Sequence, residues 1–152
     1  MLSEPQTPFG YTIFADDIRE EKGGKHIFVG VYDGGMIIED PFPVNVSKLC
    51  LRSTMYFRAT DEPRPLRYRV WLPQDPREKP TVDQEVAYQE LFAKALKIGG
   101  LIRTNFEVTM SPANLTCNGR IKVRALYGDD EIKIGSIGVR HRSDSSPDIN
   151  EW

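Results

Sequence analysis

The stretch Tyr11–Ile38, YTIFADDIREEKGGKHIFVGVYDGGMII, decides the fold. Two apolar runs rich in β-branched and aromatic residues flank an acidic knot and a Gly23-Gly24 turn, and Gly34-Gly35 follows the second run. Tyr11, Ile13 and Ala15 alternate with Thr12, Phe14 and Asp16; Ile27, Val29 and Val31 alternate with Phe28, Gly30 and Tyr32. A period of two is the spacing of side chains on a strand. Because both runs are apolar on both faces, the pattern places the pair inside a sheet rather than at its edge. Residues Asp16, Asp17, Arg19, Gly23, Gly24 and Lys25 then form the structural end of a hairpin, the glycines supplying the positive φ of a tight turn.

The same period recurs along the chain. Met36 to Glu39 makes a short strand, ended by Asp-Pro-Phe-Pro, and Leu49 to Ala59 a long one with Leu49, Leu51, Met55 and Phe57 on one side. Leu66, Tyr68, Val70 and Leu72 alternate with Arg67, Arg69 and Trp71 in a half-buried strand. After the Pro-rich connector PQDPREKP, Thr81 with Gln84 has the spacing of a capping box, and Tyr88, Leu91, Phe92, Ala95 and Leu96 recur at helical intervals before Gly99-Gly100. That spacing predicts one inserted helix over about 81–98. Strands resume at Leu101 to Met110, Arg120 to Tyr127 and Glu131 to Arg142. In the last, the apolar parity shifts between Ile134 and Ile137, and Gly135 and Gly138 mark a bulge.

About eight short strands with one helix describe a mainly β chain, expected as a single antiparallel β-sandwich of Greek-key type rather than an alternating α/β layer. The expected boundaries are a loose lead at 1–9, one domain at 10–142 and a polar tail at 143–152, whose terminal Trp152 stands alone among polar residues.

Bulk properties narrow the function classes. A chain of 152 residues with 39% hydrophobic and 28% charged residues can bury a core unaided. Its net charge of −2 gives no overall pull toward nucleic acid or an anionic membrane. Cys50 and Cys117 stand far apart in apolar runs, which reads as reduced thiols of a cytoplasmic protein. With only His26 and His141 and no C-x-x-C, a Cys/His zinc site is not expected, and no cofactor is implied. The N-terminus lacks the basic and long apolar segments of a signal peptide, and no run approaches a bilayer-spanning length.

Three places are left to carry chemistry. The carboxylates Asp16, Asp17 and Glu20 could hold a divalent cation for a metal-dependent enzyme. Asp16 and Asp17 are adjacent, however, and a strand points them to opposite faces. The paired glycines lead into strands, not into a helix, so they lack the setting of a phosphate loop. The strand faces offer more: Arg67, Arg69, Trp71, Arg120, Lys122 and Arg124 all point outward by parity, with Tyr56 and Trp71 as stacking groups. If they share one sheet they form a basic face, suited to an acidic protein partner or, less well, to nucleic acid. No nucleophile elbow or Ser-His pairing is visible. The expectation is a non-enzymatic interaction or structural module that self-associates or docks on a protein through a sheet face. A nucleic-acid-binding β-domain is the alternative, and the metal-dependent enzyme a distant third.

The sequence Phe14-Ala15-Asp16-Asp17-Ile18-Arg19, followed by Glu21, Gly23-Gly24-Lys25 and Val29-Gly30-Val31-Tyr32, resembles a family of small, functionally uncharacterised bacterial proteins. The likeness is specific up to about residue 40 and beyond that is a shared rhythm of strands. It implies a β-rich fold and a bacterial or phage origin, and it carries over no catalytic residue.

Overall fold

Strand β5 (Leu49–Arg58) shows how the alternation is used. Leu49, Leu51, Ser53, Met55 and Phe57 are fully buried on one face, while Arg52, Tyr56 and Arg58 remain accessible on the other. In the computed structural model, which describes residues 6–87 and 96–144, strands of this kind make the chain mainly β. One five-stranded sheet runs β2 (His26–Val31), β1 (Phe9–Glu20), β5, β9 (Leu101–Met110), β8 (Leu96–Ile98), antiparallel throughout. The second runs β3 (Gly35–Ile38), β12 (Asp130–His141), β11 (Gly119–Tyr127), β6 (Leu66–Trp71), β7 (Val82–Val86). It is antiparallel except where β3 lies parallel to β12. β4 (Val44–Val46) and β10 (Ala113–Leu115) form a small antiparallel pair.

The inner faces of the two large sheets share one core. Phe57 of β5 meets Tyr127 of β11 with ring centroids 5.0 Å apart, and Tyr68 of β6 stacks on Phe106 of β9 at 5.3 Å. A chain of hydroxyls crosses the same interior: Thr12 Oγ1 lies 2.8 Å from Ser53 Oγ, which lies 2.7 Å from the Tyr68 hydroxyl. Buried hydroxyls are costly unless paired, and each of these has a partner. Burial pushes the Tyr68 phenol up to about 12, so it stays protonated as the core requires.

Three sequence expectations change. The helix expected over about 81–98 is absent at both ends. Val82 to Val86 extend as β7, paired with β6 through Val70↔Val82 and Leu66↔Val86, and Leu96 lies in β8 opposite Arg103. Thr81 does not cap a helix; its N–H and hydroxyl donate to Asp75 Oδ2 at 3.0 and 2.5 Å and close the connector. Cross-strand partners on β6 outweigh the local helical spacing, which is a weak preference by comparison. Residues 88–95, the middle of that expected helix, lie outside the described residues, as do Trp152 and the rest of the tail from 145 on.

The second change is at β2. It forms the edge of its sheet among the described residues, not the interior position that its two-sided apolarity predicts. The third is minor: the bulge in β12 falls at Ile134, where the register passes from Arg124↔Lys133 to Val123↔Gly135. The extra residue buries the Ile134 side chain and leaves Gly135 facing the core, where Thr12 of β1 comes so close that a Cβ would sit 2.7 Å from the Thr12 Cβ.

That approach yields a test. Gly135→Val should lower the stability by about 2 kcal/mol, because neither backbone can move away without opening the core. Gly34→Ala, with open space around the added carbon, should be neutral. Urea unfolding of both variants measures this, and equal midpoints would refute the close packing of β1 on β12.

Candidate interaction faces

The register of the second sheet puts its outward residues side by side. Lys122 is opposite Trp71, Arg124 is opposite Arg69, and Leu126 is opposite Arg67. Arg120 lies two residues along the same strand from Lys122, so Arg67, Arg69, Trp71, Arg120, Lys122 and Arg124 all lie on one outer face. Their environments differ sharply. Arg67 and Arg69 both direct Nε at Asp83 Oδ1 on β7, the Arg69 contact being 3.1 Å. The Arg67 hydrogen bond, with Arg69 behind it, holds the Asp83 carboxyl below its usual range. Trp71 is buried: the connector folds over it, and its Nε1 donates to the Arg77 carbonyl at 3.1 Å. Tyr56, the other expected stacking group, is on the opposite sheet, stacked on Phe9 at 4.9 Å. Tyr56 is thus separated from these cations, and Trp71, although opposite Lys122, is buried beneath the connector.

The remaining cations concentrate on β11 and β12. Lys122 and Arg124 are only 6% and 4% exposed although they lie on an outer face. Arg124 bends back along its sheet, and its Nη1 donates to the carbonyls of Val123 at 2.9 Å and Gly135 at 3.3 Å, groups disturbed by the bulge. Desolvation lowers its pKa, though not enough to discharge a guanidinium. Lys133 faces Arg124 directly across the ladder, and Ser136 faces Lys122. Lys133 and Ser136 were not legible as members of this face, since the bulge at Ile134 reverses the parity of β12 between them. Gly135 was the available signal.

The hairpin residues separate as adjacent strand positions must. The Asp16 carboxylate lies over Gly30 of β2 and accepts the Tyr32 hydroxyl. Gly30 has φ +65°, and a Cβ there would run into that carboxylate, so the position requires glycine. Burial, helped by this hydrogen bond, pushes the Tyr32 phenol up to about 12. Asp17 on the other face accepts from Lys48 Nζ at 2.5 Å and Arg19 Nε at 2.8 Å. The Lys48 hydrogen bond, seconded by that from Arg19, lowers the Asp17 pKa to about 2. Gly23 and Gly24 carry the positive φ values of the turn before Lys25. Asp16 and Asp17 therefore diverge, each with its own partner. Among the described residues, no three His, Cys, Asp or Glu side chains gather in a way that could hold a metal ion. Cys50 and Cys117 are both free.

A face that the sequence did not single out lies on the first sheet. Val31 is opposite Ala15, Val29 opposite Asp17 and Ile27 opposite Arg19, so three apolar side chains of β2 share the outward side with Tyr11 and Ile13 of β1. Ile27, Val29, Val31 and Tyr11 are 41%, 43%, 47% and 49% exposed, four of the five large hydrophobic residues so exposed among those described. The signal in the sequence is the two-sided apolarity of this stretch, which alternation alone reads as burial on both faces. Apolar side chains gathered at a sheet edge mark an interaction site more than scattered ones do.

No protein-family model matches the chain, and no curated protein matches it. No helix among the described residues is long and apolar enough to cross a membrane.

The Asp17 cluster gives a pH test. Asp17 has a depressed pKa in the folded state, so its contribution is complete above the ordinary value of 3.8 and is lost as pH falls through about 2. The melting-temperature gap between wild type and Asp17→Asn should therefore be constant above about pH 5 and narrow steadily toward pH 2. A gap independent of pH would remove the Lys48–Asp17–Arg19 cluster from the account.

Proposed function

We propose that the chain is a non-enzymatic protein-interaction module. It is a single β-sandwich domain of Greek-key type over about 10–142, and it self-associates or docks on a protein partner through the outer face of β1 and β2. The observation that carries this reading is the exposed row of Ile27, Val29, Val31 and Tyr11 at the edge of the first sheet. Each of these side chains has about half of its surface left to bury, worth about 1 kcal/mol apiece, so the row together supplies the kind of driving force that association needs. The arginine-bearing face fits a protein-docking role less well, because Asp83 engages Arg67 and Arg69. The nucleic-acid alternative loses its stacking group to the connector that buries Trp71. A cytoplasmic setting, a bacterial or phage origin and a relation to the uncharacterised family that the hairpin resembles belong to the same proposal.

The test combines light scattering with affinity capture. Wild type at micromolar concentration should exceed monomer mass or retain a partner. Val29→Glu should weaken that association at least tenfold, the effect of losing about 1.4 kcal/mol at a central contact, with an unchanged melting temperature. A wild-type chain that is a monodisperse monomer and captures nothing sensitive to Val29→Glu would overturn the proposal.

A further inference from the structure

The cations left on the second sheet line a shallow cavity of about 270 Å³ over β11 and β12, formed by Arg120, Lys122, Arg124, Lys133, Gly135 and Ser136. Its lining contains no carboxylate. Arg124 has an acid beside it, Glu131, whose Oε1 is 3.6 Å from Arg124 Nε. Among the described residues, no carboxylate lies within ion-pair distance of Arg120 or Lys133. Arg124 and Lys133, moreover, are directly opposed in the ladder, an arrangement that destabilises a sheet when nothing neutralises it.

The hydrogen-bonding character of the cavity is equally one-sided. Guanidinium and ammonium groups only donate. Ser136 Oγ accepts from Arg120 Nε at 2.7 Å, which leaves the serine proton for an acceptor. Arg124 is 4% exposed, and its Nε is buried with no hydrogen-bond partner. A buried donor without an acceptor is costly, and Arg124 is one of several donor-bearing side chains that line the cavity. The complementary ligand is small, carries only acceptors and has more than one negative charge.

We propose that this cavity binds a phosphate group, free or as the monoester of a small molecule. Arg120 and Lys133 bracket the anion, Ser136 donates its hydroxyl proton, and Lys122 and Arg124 supply positive charge from below. Charge-assisted hydrogen bonds of this type are the strong ones, and arginine favours phosphate geometry. The site is on the opposite sheet from the apolar row, so it stands or falls separately from the docking face.

The experiment is calorimetric titration of the full chain at constant ionic strength with inorganic phosphate, glycerol phosphate and acetate as separate probes. Phosphate should bind saturably with one site, and acetate should not bind. A monoester that binds tighter than inorganic phosphate would assign an organic phosphate as the ligand, and equal affinities would assign the free ion. Lys133→Gln, at an exposed position, and Arg120→Gln should each weaken phosphate binding about tenfold. Arg67→Gln removes the same charge from the same face outside the cavity and should change affinity less than twofold. Equal losses in all three variants would reduce the effect to diffuse electrostatics and overturn the site. So would the absence of saturable phosphate binding at tens of millimolar, or binding of a single-stranded oligonucleotide without binding of phosphate.

Discussion

The direction in which the two central strands face sets everything else in this protein. β5 and β11 each carry an unbroken inward row, Leu49 to Phe57 on one and Ile121 to Tyr127 on the other, and these rows must meet. Side chains alternate strictly along a strand, so a slip of one residue would turn the entire row outward. Once the rows are committed to the core, every neighbouring residue is assigned to an outer face. The apolar row on β1 and β2 and the cationic cavity on β11 and β12 are consequences of that commitment, transmitted strand by strand through the registers.

Two local departures from regular pairing shape those faces. The bulge at Ile134 places an additional apolar side chain in the core, brings Gly135 under Thr12 and turns Lys133 and Ser136 to the same outer side as Lys122. It also leaves backbone carbonyls that Arg124 reaches with Nη1. At Gly30, the left-handed backbone lets the Asp16 carboxylate lie across the edge strand toward Tyr32. In both places one glycine permits a close approach, and a charged side chain occupies the irregularity.

Charge is distributed by the same registers. Opposite charges meet where β7 lies beside β6: Asp83 engages both Arg67 and Arg69, and Glu85 lies 4.0 Å from Arg67. On β12 the residue opposite Arg124 is Lys133, a like charge, and the acid beside Arg124 is Glu131, off the direct pairing. The composition of the arginine strands was readable, but not which of their charges would be answered. That depended on β7, a strand formed by residues whose spacing predicts a helix. Similarly, the apolarity of Ile27, Val29 and Val31 was plain, and their exposure followed only from the position of β2 at the edge.

The sequence by itself determined the long strands, the hairpin turn at Gly23-Gly24 and the near location of the β12 bulge, because period-two alternation and positive-φ glycines are local requirements. It also determined that adjacent Asp16 and Asp17 would diverge. Only the tertiary structure decided that β7 is a strand, that β2 is an edge, and that Lys133 and Ser136 join Arg120 in one cavity. These depend on pairing between segments far apart in the chain, where the partner's hydrogen bonds and side chains outweigh local preference. The opening hairpin was thus legible as structure, while its exposed outer face was decided by which strands pair beside it.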